Sequence, residues 1–253
     1  MLTEERRRAV LQVIRSETSV QTADLADRFG VSEMTIRRDL DELAEHGLVR
    51  RVHGGAVAPR AMRDEPPFDD TRIERASAKQ RVGQAAAAMV QPGDTVIIDI
   101  GTTALQVARC LHDRPGLTVV TNNMAVYDEL AGDDTIDLLL LGGLLRRNYR
   151  SLTGFLTEES LRGIRADLVF VGISGVSEDL TLLDTTVEEI QTKRAMLRAA
   201  AHRVLIADGA KFWGGGLGRV AGIDAVQTVI TTDDAPHDRL DAIRDQGVEV
   251  RIA

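Results

Sequence analysis

Residues 95–103 read Thr95-Val96-Ile97-Ile98-Asp99-Ile100-Gly101-Thr102-Thr103. The run Thr95–Ile100 is apolar at alternate and intervening positions alike, with Asp99 held back to its end. Gly101 allows a sharp turn, and Thr103–Leu111 continues with helical patterning. A strand that is apolar on both faces is one covered on both faces, as in parallel sheets. The same alternation recurs outward along the chain. Strand-like runs fall at Leu117–Thr121, Ile136–Leu141, Leu168–Gly172, Val204–Ala207, Val226–Thr231 and Val248–Ile252. Helical stretches at Met124–Leu130, Thr186–Ala201 and Asp238–Gln246 separate several of them. The pattern predicts an α/β domain built on a parallel sheet.

In such sheets ligands sit beyond the carboxyl ends of strands. Here those ends run into Asp99–Thr103, Asn122-Asn123, Gly142-Gly143, Gly172–Gly175 and Asp208–Lys211. Gly101-Thr102-Thr103 combines close backbone approach, two hydroxyls and a helix N-terminus, which together suit an anion. Lysine is rare in this chain, at Lys79, Lys193 and Lys211 only. Lys211, just after a strand and Asp208, is the stronger candidate for a ligand. Glu189 and Lys193 have the i, i+4 spacing of a stabilising helix pair, so a structural pairing is expected there.

Upstream, Pro59, Pro66 and Pro67 flank Arg63-Asp64-Glu65, a stretch that can neither continue a helix nor bury much. It predicts three segments: a small domain over 1–57, a linker over 58–70 and a larger domain over 71–253. The small domain reads as three helices. Val10, Leu11 and Ile14 stripe the first, Thr22 caps the second, Gly30-Val31 makes a turn, and Ser32 caps a third that Gly47 ends. A strand-like Leu48–Val52 and the turn His53-Gly54-Gly55 follow, completing the order of a winged helix-turn-helix.

With Ile36, Leu40 and Leu43 facing inward, the first turns of the third helix expose Met34, Thr35, Arg37 and Arg38. Asp41, Glu42 and Glu45 lie farther along. That polarity suits a recognition helix entering the major groove by its N-terminal half. Arg6–Arg8, Arg50 and Arg51 are candidates for flanking phosphate contacts.

Composition limits the alternatives. Residues 1–60 hold ten Arg and ten acidic residues, so the net charge of −8 belongs wholly to the rest of the 253-residue chain. A general basic coat for nucleic acid is excluded, whereas local clusters are not. One cysteine excludes a disulfide framework and multi-cysteine metal clusters. No apolar run reaches the ~20 residues of a membrane span. No signal peptide is visible at Met1–Arg8, and a cytoplasmic protein is expected. Walker A, G-x-G-x-x-G, H-E-x-x-H and G-x-S-x-G patterns are absent, and the five His are scattered. Neither metal nor cofactor is expected.

The motifs Asp24-Leu25-Ala26, Val31-Ser32, Thr35-Ile36-Arg37-Arg38-Asp39-Leu40 and His53-Gly54-Gly55-Ala56 resemble the DeoR-type winged-helix repressors. The resemblance implies operator binding with Ser32, Met34, Thr35, Arg37 and Arg38 at or near the groove and Arg50, Arg51 and His53 in the wing. From about Thr71 onward the chain is similar to the sensor domain of the same family. That implies a fold of the ribose-5-phosphate isomerase type and a phosphorylated sugar or polyol, such as glycerol 3-phosphate, as effector. The implied effector residues are Asp99, Gly101, Thr102, Thr103, Asn122, Asn123, Gly142, Gly143, Arg146, Gly172, Gly175, Asp208 and Lys211. Gly209-Ala210 and Glu178-Asp179-Leu180 depart from the family pattern.

Asp184, Glu189 and Lys193 complete the candidate set, because with Asp99 they suit either hydroxyl recognition or acid–base chemistry. The first use predicts a repressor that is not an enzyme; the second predicts an isomerase carrying a DNA-binding appendage. Helix-turn-helix operators mirror a protein two-fold axis, so a homodimer or homotetramer is expected.

Overall fold

Val10 and Ile14, one helical turn apart, are fully buried on α1 (Thr3–Glu17). They meet Leu25 and Ala26 of α2 (Thr22–Phe29) and Ile36, Leu40 and Leu43 of α3 (Glu33–Glu45) in one apolar core. In the computed structural model residues 3–17, 19–45, 49–52, 54–57 and 67–253 are described, within two units, Met1–Asp64 and Glu65–Ala253. Gly30 ends α2 in the left-handed region at φ 63°, a conformation that favours glycine. The Ser32 hydroxyl accepts from the Thr35 N–H at 3.2 Å, so it caps α3 as expected. Thr22 does not cap α2. It is the first helical residue, and its N–H donates to Gly54 O at 2.8 Å, because a strand, β1 (Ser19–Gln21), leads directly into the helix. β1 pairs antiparallel with β3 (Gly55–Val57), which pairs with β2 (Arg50–Val52), making a three-stranded wing. Gly47 and His53 lie outside the described residues.

The second unit begins ahead of residue 71. α4 (Phe68–Ile73) buries Phe68 against Leu105 and Ala125, so the expected linker over 58–70 overlaps this unit at its end. A large apolar side chain directly after two prolines draws that end into the fold. α5 (Ala76–Ala87) precedes β4 (Thr95–Ile98), α6 (Thr102–Arg109), β5 (Leu117–Thr121), α7 (Met124–Leu130) and β6 (Ile136–Leu140). A hairpin of β7 (Leu144–Arg146) and β8 (Ser151–Thr153) leads to α8 (Phe155–Arg162) and β9 (Ala166–Val171). Then come β10 (Gly175–Val176), β11 (Thr181–Asp184), α9 (Val187–Ala199), β12 (Ala200–Ile206) and β13 (Gly218–Gly222). β14 (Thr228–Thr231), α10 (His237–Asp245) and β15 (Glu249–Ile252) end the chain.

Seven of these strands form one parallel sheet in the order β15-β14-β12-β9-β4-β5-β6. Alternate residues serve opposite cores. Val96, Ile98, Val119 and Phe170 pack under α5–α7, while Ile97, Val120, Val169 and Leu205 pack under α8–α10. This two-sided burial is the physical reason that the strands read as apolar runs. The chain lays β4, β5 and β6 in one direction, then returns to place β9 on the other flank of β4. The strand order therefore reverses between β4 and β9, the position at which doubly wound sheets open a crevice at their carboxyl edge.

Candidate functional site

Asp99 leaves the end of β4 and Gly172 leaves the end of β9, so both stand at this switch point. The Gly172 N–H donates to Asp99 Oδ2 at 2.9 Å. Lys193, fully buried on α9, donates to the same oxygen, to Gly172 O at 3.0 Å, and lies 3.5 Å from Asp184 Oδ2. Burial opposes the Lys193 charge, but Asp99, Asp184 and Glu189 outweigh it and hold the ammonium above the ordinary lysine range.

The expected Glu189–Lys193 helix pair is not formed. Glu189 Oε1 instead accepts from Arg146 of β7 and from Ser151 Oγ of β8, the latter at 2.8 Å. Tertiary partners of better geometry displace the local i, i+4 contact. Burial pushes the Glu189 carboxyl up to about 7, against the pull of Lys193, with Asp99 adding to the rise and Arg146 opposing it. Asp99 Oδ1, Glu189 Oε2, Asn122 Oδ1, Thr186 Oγ1 and Thr231 Oγ1 are buried without a partner among the described residues. A buried acceptor left without a donor costs about 1–3 kcal/mol, so Asp99 Oδ1, Glu189 Oε2 and Asn122 Oδ1 are poised for donors.

The next loop supplies the opposite polarity. Gly101 turns at φ 99° and stands as N-cap of α6 without a side-chain bond. Thr102 and Thr103 are buried, yet neither hydroxyl is bonded to another described residue. Asn123 fixes the loop: its Nδ2 donates to Asp99 O and Gly101 O, both at 3.4 Å, while its Oδ1 caps α7 by accepting from Ala125 N at 2.9 Å. Asn122 donates to Leu152 O at 2.8 Å, tying β5 to the β7–β8 hairpin.

The remaining expected residues divide in two. Gly143 packs against Thr153 and against Thr157 of α8, and Gly142 O accepts from Thr157 Oγ1 at 2.6 Å. Gly175 meets the backbone of Gly214 so closely that a Cβ would lie 2.4 Å away, a packing role in β10. Asp208 and Lys211 follow β12, next along the same sheet edge. Asp208 Oδ1 accepts from Ala210 N at 3.0 Å and meets Arg75 Nε at 2.8 Å. Lys79 was not anticipated. It is buried, donates to Thr71 O at 2.5 Å, and burial lowers it to about 8, with Asp208 opposing and Lys211 adding. Its rarity as one of three lysines was the available signal. A surface cleft of about 150 Å³ between α4, α6 and α7, lined by Phe68, Arg72 and Arg150 among others, contains none of these strand-end residues.

In the first unit, α3 presents Met34, Arg37 and Arg38 to solvent. Arg37 pairs with Glu33 at 3.3 Å, whereas Arg38 has no partner among the described residues. Thr35 Oγ1 lies 2.9 Å from Ser32 Oγ. Arg6, expected to meet phosphate, is buried against Asp39 at 2.6 Å, and Arg7 reaches the same carboxylate at 3.1 Å. The reason is Asp39, which α3 turns inward and which needs a counter-charge there. Arg51 is held by Asp41 at 2.9 Å and by Gly55 O at 2.9 Å. The Arg8 and Arg50 side chains lie outside the described residues. The acidic residues Asp39 and Asp41 are thus neutralised, leaving the Met34–Arg38 end open.

Residues 6–61 match the DeoR-like helix-turn-helix domain and residues 74–233 the DeoR C terminal sensor domain. The chain belongs to the DeoR family of transcriptional regulators. This DeoR-family chain is 32% identical over 248 residues to the glycerol-3-phosphate regulon repressor of Escherichia coli strain K12, covering 98% of each. It is 31% identical over 230 residues to the transcriptional repressor AccR of Agrobacterium fabrum, covering 90% of this chain and 89% of that one. Among solved structures it is similar to ribose 5-phosphate isomerase A of Methanocaldococcus jannaschii, at 17% identity over 55% of each chain and a TM-score of 0.41. The full-length sorbitol operon regulator SorC of Klebsiella pneumoniae aligns over 95% of this chain and 98% of its own, at 15% identity and a TM-score of 0.43. In this DeoR-family sensor unit, Asp99, Gly172, Asp184 and Lys193 form one linked polar group, to which Asn123 ties Gly101, and Glu189, Arg146 and Ser151 form a second. Among the described residues no helix is long and apolar enough to cross a membrane, and no His, Cys, Asp and Glu cluster could hold a metal ion.

Proposed function

We propose that this chain represses genes of carbohydrate or polyol catabolism by binding operator DNA through α3 and the wing, and that a phosphorylated sugar or polyol releases it. The observation that carries the effector class is the division of the strand-end edge. Thr102, Thr103 and the N-terminus of α6 offer unbonded donors, while Asp99 Oδ1 and Glu189 Oε2 offer buried acceptors without donors. Donors suit a phosphate, and carboxylate acceptors suit hydroxyls, so one ligand carrying both groups satisfies the site. Glycerol 3-phosphate is the first candidate, because a relative at 32% identity is named for that regulon.

We assign the carboxylates to recognition and not to turnover, since Asp99 is held by Lys193 and Glu189 by Arg146 and Ser151. Release from DNA requires the ligand to favour a DNA-incompetent state, with couplings typically of about 1–3 kcal/mol. Symmetric operators call for paired copies, hence a homodimer or homotetramer.

A thermal-shift screen against sugar and polyol phosphates tests the effector class. Ligand at a hundred times its Kd adds about 2.7 kcal/mol, a readily resolved rise in melting temperature. A rise with a phosphate ester and none with the parent alcohol supports the reading; no rise across the panel contradicts it. Sustained conversion of ribose 5-phosphate would contradict the assignment to recognition alone.

A further inference from the structure

The turn of the β7–β8 hairpin, residues 147–150, carries Tyr149 to the loop that precedes α6. A Cβ at Gly101 would stand 3.6 Å from Tyr149 Oη and 4.0 Å from Tyr149 Cε1. No other described residue, the chain neighbours of Gly101 aside, comes within 4 Å of that point. The edge of one phenol therefore borders the N-cap of α6. Nothing in its local sequence marks Tyr149, because the contact joins a short hairpin to a loop far back along the chain.

Tyr149 is half-buried and held from several directions. Its ring stands edge-on to Phe68, with centroids 6.0 Å apart and planes at 84°. The Arg146 guanidinium lies over the same ring, 5.8 Å from its centroid. The backbone on either side is tied as well: the Phe68 N–H donates to Asn148 O and the Met124 N–H to Arg150 O, both at 2.8 Å. Arg150 pairs with Asp128 and takes a φ of 55°, left-handed and uncommon for a residue with a side chain. Turn tips are ordinarily the mobile part of a hairpin, and this one is fastened to α4 and α7. A donor already fixed in place loses little freedom when a ligand arrives.

We propose that Tyr149 is a further effector-recognition residue, whose hydroxyl donates to the phosphate group seated at Gly101-Thr102-Thr103. The proposal deepens the effector reading above and rests on it. Thr102, Thr103 and the N-terminus of α6 offer donors from one element, and Tyr149 Oη adds one from another at the same loop. A phosphate dianion offers acceptors only, so a neighbouring hydroxyl meets it as a donor, in a charge-assisted bond stronger than a neutral one. Arg146 over the ring adds positive charge beside that hydroxyl, which favours an anion there. Tyr149 also touches both polar groups of the site, Gly101 with its oxygen and Arg146 with its ring. Each group holds a fully buried acceptor without a donor among the described residues, Asp99 Oδ1 in one and Glu189 Oε2 in the other. A ligand with a phosphate at one end and hydroxyls at the other fits this arrangement, with Tyr149 at the phosphate end.

Calorimetric titration of the full chain with glycerol 3-phosphate, ribose 5-phosphate and inorganic phosphate tests this, because the three have the phosphate group in common. Tyr149→Phe keeps the ring between Phe68 and Arg146 and removes only the hydroxyl. It is expected to weaken every one of the three that the parent binds by one common factor, on the order of 10- to 100-fold, with the melting temperature of the free chain unchanged. Tyr149→Leu removes the ring too and is expected to lower the melting temperature as well. Each titration is run well below the melting temperature of the variant, so that a change in stability does not enter the affinity. Unchanged affinity in Tyr149→Phe, a loss that appears only in Tyr149→Leu, or unequal factors among the bound phosphates overturns the proposal. Thr102→Val separates that failure from failure of the site. If Thr102→Val loses affinity and Tyr149→Phe does not, the effector reading stands and Tyr149 leaves it; a parent that binds none of the three removes both.

Discussion

The Gly172 N–H lies 2.9 Å from Asp99 Oδ2, and the Lys193 ammonium donates both to that oxygen and to the Gly172 carbonyl. One helix-borne lysine therefore clamps the ends of β4 and β9 at the point where the sheet order reverses. Removing it leaves Asp99 buried without a counter-charge. Lys193→Met is expected to lower stability at neutral pH by about 3–5 kcal/mol, the usual cost of breaking a buried pair from one side. Asp99→Asn/Lys193→Met should recover part of that loss, because the neutral amide no longer needs the ammonium. Urea unfolding of the single and double variants measures both effects. Additive losses would show that the two residues do not act as a pair.

Glu189 sets a pH dependence with a definite sign. Its carboxyl is raised from 4.5 to about 7 in the folded chain by burial. The folded state therefore holds a proton that the unfolded state releases, and the stability gained from it is full below 4.5 and lost as pH rises through about 7. Glutamine does not titrate. Relative to the parent, Glu189→Gln should gain stability between pH 5 and pH 8 by on the order of 3 kcal/mol. A parent–variant difference that stays flat across that window would contradict the placement of Glu189 as a buried, protonatable group.

How far the sequence carried the fold follows from burial. All seven strands of the parallel sheet were legible: the five inner ones are apolar on both faces, and the edge strands β6 and β15 still carry enough apolar residues for the signal to survive in one dimension. The wing strand Ser19–Gln21, the β7–β8 hairpin and the small sheet of β10, β11 and β13 were not. They are two to five residues long, rich in polar residues or glycine, and gain their order from neighbours. The candidate site shows the same division. Asp99, Gly101 and Lys193 were identifiable by type and position, but the partner of Lys193 was not. Asp99 lies 94 residues away in sequence, whereas Glu189 lies four away, and local spacing favoured the wrong carboxylate. Arg6 was misread for the same reason, since its partner Asp39 is 33 residues distant.

Thr102 distinguishes a ligand loop from a helix cap. Its hydroxyl is bonded to no described residue, and Gly101 holds the N-cap position. Thr102→Val should leave the melting temperature nearly unchanged while weakening effector affinity on the order of 10- to 100-fold, the cost of one charge-assisted hydrogen bond. Calorimetric titration with the active phosphate ester measures it. A stability loss of about 1 kcal/mol with unaltered affinity would assign Thr102 to capping instead.

Arg38 and Arg51 should respond differently on DNA. Arg38 is exposed on α3 without a partner among the described residues, while Arg51 already holds Asp41 and Gly55. Arg38→Ala is expected to cost about 1–3 kcal/mol on the operator and to relax preference at one base pair if it reads a guanine. If it meets phosphate, affinity for all sequences should fall together and the salt slope should drop by about one. Arg51→Ala should chiefly loosen the wing. Fluorescence anisotropy with operator and random duplexes separates these outcomes, and an unchanged Arg38→Ala variant would remove α3 from the interface.

The central claim is that the strand-end site and DNA binding are linked. Its most direct test is operator affinity of the full chain, on a duplex selected by the protein itself, with and without each member of a sugar and polyol phosphate panel. One phosphate ester is expected to weaken operator binding by 5- to 150-fold, the range of ordinary allosteric couplings, while its unphosphorylated counterpart has no effect. In Thr102→Val the same release should require proportionally more ligand. Operator affinity that is indifferent to every phosphate ester, or that responds equally to the free alcohol, would contradict the account.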